Sequence, residues 1–69
     1  MEYSLEAFGK HLAKVRKEHG FSQEKLALES GIARSYMSDL ECGRRNVGLL
    51  NIFRLADTMG IKPIVLLDF

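Results

Sequence analysis

Residues 23–40 read QEKLALESGIARSYMSDL, and the fold follows from how this stretch is parsed. Leu26, Ile32, Met37 and Leu40 are apolar at positions that would close the wedge between two crossing helices. Ala27 is small where the two helices would approach, and Gly31 follows four residues later. A short turn between steeply crossed helices needs a residue that accepts positive φ, and glycine does so without a Cβ penalty. Two readings fit: a plain helical hairpin in a bundle, or a helix-turn-helix. The outer face of the second helix separates them. Arg34, Ser35, Ser38 and Asp39 are short or polar and cluster toward its N-terminal half. A helix in the major groove presents that half to base edges. There Arg pairs with guanine, Ser with several bases, and Asp accepts from cytosine.

Outward from this pair the apolar period stays helical and no alternating strand pattern occurs. Leu5, Phe8, Leu12 and Val15 form one stripe of a first helix over about Ser4 to His19, all four expected to be buried. Ser4 is its N-cap and Gly20 its left-handed stop. Ser22 caps a second helix running to about Glu29, Ser30-Gly31-Ile32 makes the turn, and a third helix spans about Arg34 to Cys42. Gly43 ends that helix, and 44–47 form a polar loop. A fourth helix covers about Leu49 to Met59, and Pro63 opens a short fifth that ends near Phe69. Gly9 falls inside the first helix, where it costs about 1 kcal/mol relative to alanine, and the sequence alone gives no reason for it. The expectation is an all-α, compact five-helix single domain over 1–69, with the helix-turn-helix at about 23–42.

Composition agrees with a helical core and narrows the class. The chain has 69 residues, 46% of them hydrophobic, one cysteine and a formal net charge of +1. Its length suits one small domain, with no room for a ligand-binding domain. No apolar run is long enough to cross a membrane, the start carries no secretion signal, and a lone cysteine suits the cytoplasm. Such a net charge is weak evidence for nucleic acid, so the placement of charge matters more. Lys10, Lys14 and Lys17 lie at helical spacing, which as a lone feature reads as a solvated face. Arg44 and Arg45 make a second basic point.

With these residues in view, the chain resembles the lambda-repressor-like helix-turn-helix family of phage repressors, Cro proteins and small bacterial regulators, also called the XRE type. The similarity covers about Phe8 to Leu67. It rests on Val15-Arg16-Lys17 before Gly20-Phe21-Ser22-Gln23, then Leu26-Ala27, Gly31-Ile32, Met37-Ser38-Asp39-Leu40-Glu41, Gly43-Arg44-Arg45-Asn46, and Leu55-Ala56 before Met59-Gly60-Ile61. The resemblance implies double-stranded DNA as partner. It implies that Arg34, Ser35 and Asp39, with Ser38, read bases. It implies that Gln23, Arg44, Arg45 and Asn46 hold phosphates, with Tyr36 at the backbone or a thymine methyl, and Gln23 bracing the third helix. Arg16 and Glu41 match a partly buried ion pair between the first and third helices. Ala33 departs from the Ser or Thr the family often has as the cap of the reading helix, a loss of about 1 kcal/mol. Val47-Gly48 replaces a common Pro-Ser.

The end of the chain is apolar at Ile61, Ile64, Val65, Leu66, Leu67 and Phe69. It either caps the core or, through Ile64, Val65, Leu67 and Phe69, forms the self-complementary patch of a homodimer. The expected function is a transcriptional regulator, a repressor on an inverted-repeat operator. Its rivals are an antitoxin or restriction-modification controller of the same fold, with a toxin or other protein as partner, and a protein-interaction module without DNA binding. No nucleophile–base set suggests an enzyme. His11 and His19 lack companions at ligand spacing, so no metal or other cofactor is expected. Cys42, near the Arg pair, reads as an inert exposed thiol or as a redox control point.

Overall fold

Local chemistry sets most of the element ends. The Ser4 hydroxyl accepts from the Ala7 N–H at 3.0 Å and the Ser22 hydroxyl from the Lys25 N–H at 3.0 Å. Each satisfies a donor that a helix start leaves without an internal partner. A computed structural model describes residues 3–69. Its elements are α1 (Leu5–Glu18), α2 (Gln23–Ser30), α3 (Arg34–Glu41), α4 (Leu49–Met59) and α5 (Pro63–Leu67). Among the described residues there is no strand, and no helix is long and apolar enough to cross a membrane. Neither α3 nor α4 has a side-chain cap, since Ala33 and Gly48 stand at those positions. Gly31 takes φ 76° after α2, the left-handed turn that lets α3 cross it.

Four boundaries differ slightly from the sequence reading, the first being His19, which is the cap after α1. Ser30 belongs to α2, its hydroxyl donating to the Leu26 carbonyl at 2.6 Å. Cys42 is the cap after α3, and α5 stops at Leu67. One buried position is corrected: Leu5 is 40% exposed. It is the first residue of α1, and helix side chains lean toward the N-terminus, so it projects past the helix end. Phe8, Leu12 and Val15 are buried as expected.

The core joins these three residues to Leu26, Ala27, Ile32, Met37, Leu40, Ile52, Leu55, Ala56, Met59 and Leu66. Every apolar position singled out in the helix-turn-helix stretch is in it. Gly9 acquires its reason here. A Cβ at Gly9 would stand 2.5 Å from the backbone oxygens of both Leu40 and Glu41. The first helix therefore lies directly on the end of α3. Gly43, at φ 74°, extends the contact, since a Cβ there would meet the Glu6 Cα at 2.8 Å. This contact fixes α3 relative to the rest of the domain.

The C-terminal turn is held on α1. The His11 ring lies with Nε2 2.6 Å from the Val65 carbonyl oxygen. A carbonyl only accepts, so Nε2 carries the proton. Phe69 packs edge-on against Phe8 and Tyr3, with ring centres 6.0 and 5.8 Å away.

Candidate nucleic-acid interface

The interface is built on a buried charge. Arg16 on α1 and Glu41 at the end of α3 have side chains only 9% and 7% exposed. Arg16 Nε donates to Glu41 Oε2 at 2.6 Å and its second terminal nitrogen to Oε1 at 3.0 Å, a two-pronged pairing. The remaining terminal nitrogen donates to the Phe21 carbonyl at 2.8 Å. Gln23, the first residue of α2, donates from Nε2 to Glu41 Oε1 at 2.8 Å. Among the described residues no buried side-chain polar atom lacks a partner. The pair is thus desolvated but fully hydrogen-bonded, the condition under which a buried ion pair is tolerated.

The network reaches the surface at Arg34. Its guanidinium donates to Gln23 Oε1 at 3.2 Å and lies 3.8 Å from Glu24 Oε1. The Gln23 amide is oriented by both neighbours, since a carboxylate only accepts and a guanidinium only donates. Arg34 is exposed at the start of α3, and its rest position traces through Gln23 to the Arg16–Glu41 pair. Ser35 is exposed beside it; Ser38 and Asp39 are half-buried on the following turn. These four residues lie on two successive turns of one side of α3, so the expected reading surface is brought together. Glu24 and Asn51 belong to the site's frame and had no mark in the sequence beyond ordinary helix positions.

After Gly43 the chain folds back along α3. The Arg44 Nε donates to Asp39 Oδ1 at 3.0 Å, and the Arg45 Nε lies 3.4 Å from Asp39 Oδ2. Each carboxylate oxygen faces one arginine. The hydrogen bond to Asp39, then the neighbouring Cys42 and Asp39 charges, raise the Arg44 pKa above its usual value. Arg44 stays charged at any working pH in either case. Tyr36 is half-buried against the core, and its hydroxyl donates to the Asn46 carbonyl at 3.1 Å. The Tyr36 hydroxyl oxygen in turn accepts from Asn51 Nδ2 at 3.1 Å. Tyr36 thus ties the loop to α4, and the Arg45 guanidinium sits 5.8 Å from its ring centre. Arg44, Arg45 and Asn46 are exposed on this loop.

The remaining expected positions fall into two groups. Ile64 is 68% exposed and Leu67 48%, on a face of α5 that the domain leaves open. Val65 and Phe69 are less open. The Val65 carbonyl is taken by His11, and Phe69 lies against its own aromatic neighbours. Leu49, Leu50 and Phe53 on α4 are exposed as well. Cys42 is a free, exposed thiol.

Comparison with known proteins agrees with this geometry. The helix-turn-helix family model matches residues 12–66. The control protein C.BamHI of Bacillus amyloliquefaciens is 44% identical over 63 residues, spanning 90% of this chain and 78% of that protein. The control protein C.MunI of a Mycoplasma species is 42% identical over 55 residues, 78% of this chain and 74% of its own. Among solved structures, the restriction-modification controller protein C.AhdI from Aeromonas hydrophila superposes with a TM-score of 0.86 at 47% identity, covering 90% of this chain and 94% of that one. SinR, a master regulator for biofilm formation solved in complex with DNA, gives 0.82 at 29% identity, over 88% of this chain and 98% of its own.

Proposed function

This chain belongs to the helix-turn-helix family of DNA-binding transcriptional regulators, and we propose that it works as a homodimer on an inverted-repeat operator, in the manner of a restriction-modification controller. The observation that carries this reading is the chain of contacts Arg16–Glu41–Gln23–Arg34. It runs from the core to an exposed arginine at the start of the reading helix. A base-reading side chain gains discrimination when its rest position is set in advance, because less freedom is lost on binding.

In this reading the N-terminal half of α3 enters the major groove. Arg34 pairs with a guanine edge, and Ser35, Ser38 and Asp39 read neighbouring bases. Gln23, Arg44, Arg45 and Asn46 hold phosphates and set the register. Tyr36 acts mainly by holding the loop that carries the arginines. Ile64 and Leu67, with Leu49, Leu50 and Phe53, cover one another across a two-fold axis, as a reader of an inverted repeat requires. The dimer acts in the cytoplasm, where its DNA is, and represses by occupying a promoter.

The phosphate contacts have a direct readout. Affinity for duplex DNA is expected to fall with salt at a log–log slope of about −0.9 per phosphate neutralised. Arg44→Ala with Arg45→Ala is expected to flatten that slope by about 0.9 for each phosphate released and to weaken all sequences alike. Fluorescence anisotropy titrations between low and moderate salt measure both quantities. An unchanged slope would remove the loop from the DNA interface. No binding to any duplex would leave a protein-interaction module that kept the fold.

A further inference from the structure

Asp39 stands on the reading face, yet both of its oxygens are occupied by the two arginines expected to hold phosphate. The Arg44 Nε lies at 3.0 Å and the Arg45 Nε at 3.4 Å, while the Asp39 side chain is 28% exposed and the arginines are 62% and 61% exposed. The carboxylate is therefore the most sheltered member of the cluster, and the guanidiniums are its exposed partners. We propose that Asp39 is a specificity-determining charge gate, holding Arg44 and Arg45 off the DNA backbone until a matching base takes over its carboxylate.

The gate follows from the donor and acceptor inventory. An ionised carboxylate only accepts hydrogen bonds, and a guanidinium only donates them. When Arg44 and Arg45 turn to phosphates, Asp39 loses its hydrogen-bond donor Arg44 and its ion-pair partner Arg45 while it faces the groove. In the major groove only the amino groups of cytosine and adenine can replace them; the edges of guanine and thymine offer acceptors there. Opposite an amino group Asp39 is satisfied and the arginines stay on the phosphates. Opposite an acceptor the uncovered carboxylate meets only negative potential, and the arginines are drawn back. Phosphate grip, which by itself carries no sequence information, becomes conditional on the base. Exposed ion pairs of this kind are weak enough for phosphates to compete with them. The modest net charge of the chain fits such a device, since general attraction to DNA is held low.

The inference rests on the DNA-binding reading above, and its test separates the two. Asp39→Asn keeps the shape and removes the charge. It is expected to raise affinity for a scrambled duplex about three- to tenfold and to steepen its salt slope by the increment of about one phosphate. Affinity for the selected operator should change less, so the ratio between the two falls. The gain on scrambled DNA should vanish when Arg44→Ala and Arg45→Ala are added. Asp57→Asn, with the same charge change on α4, controls for net charge. If Asp39→Asn lowers operator affinity and leaves scrambled DNA and its slope untouched, Asp39 is a plain base reader and the gate is wrong. An equal gain from Asp57→Asn, or a gain that survives loss of both arginines, also overturns it. Elution from a heparin column reads the same arginines without duplex DNA. If the wild type binds no duplex, the regulator reading falls and the base-conditional gate falls with it; an arginine-dependent gain of Asp39→Asn on heparin then leaves only the restraint of Arg44 and Arg45 by Asp39. No arginine-dependent shift on heparin sinks the gate as well.

Discussion

Glu41→Ala is expected to remove about 3–5 kcal/mol of stability, the loss typical when one partner of a buried pair is deleted. A chain of this size has only about 3–10 kcal/mol in total. The melting temperature should therefore drop by about 12 °C or more, or the domain should fail to fold. The cause is what is left behind. Arg16 would keep its charge in a site where it is 8% exposed, with only the Phe21 carbonyl as partner. Thermal and denaturant unfolding measure the loss. Pairing Glu41→Leu with Arg16→Met should recover much of it, because apolar residues of similar volume need no compensation. A Glu41→Ala variant within about 1 kcal/mol of wild type would mean that water already reaches the pair. The substitution also frees the Gln23 amide, so any protein that still folds should hold Arg34 less firmly and discriminate less between bases.

Gly9→Ala sets two effects of opposite sign against each other. Alanine is the better helix former by about 1 kcal/mol. Its methyl carbon, however, would stand 2.5 Å from two backbone oxygens and 2.8 Å from the Glu41 carbonyl carbon. Backbone atoms of a helix cannot rotate away, so α1 and α3 must separate where they touch. Overpacking of this kind costs about 1–3 kcal/mol and sometimes more. With two backbone oxygens at 2.5 Å the clash falls at the upper end of that range and should win, with a net loss of up to about 2 kcal/mol measured by denaturant unfolding. Because one of the oxygens belongs to Glu41, Gly9→Ala and Glu41→Ala should be non-additive. A stabilised Gly9→Ala protein would show that the two helices do not meet at this point.

These two residues also mark where the sequence was legible and where it was not. Ser4, Ser22, Gly31 and Pro63 act through neighbours a few residues away, and each sits where local chemistry put it. The core positions from Leu26 to Leu40 followed from helical spacing. Gly9 could be recognised as out of place, but its reason lies more than thirty residues further along, at Leu40 and Glu41. The Arg16–Glu41 pair spans 25 residues and was visible only through family resemblance. Asp39 with Arg44 and Arg45 escaped because a loop, not a helical period, brings them together. Leu5 went the other way, since apolar character gives no orientation at a helix start, and it points outward.

If α3, led by Arg34, reads DNA in two symmetry-related copies, a selection from random duplexes at moderate salt should reveal both the symmetry and the reader. Wild type and Arg34→Ala are run in parallel. Wild type is expected to recover an inverted repeat whose half-sites lie about one helical turn, roughly 34 Å, apart. Arg34→Ala should lose preference at one base pair in each half-site while the rest of the repeat persists. Recovery of no motif, or of the same motif at full strength from both proteins, would contradict the assignment of α3 and Arg34 as the reading element.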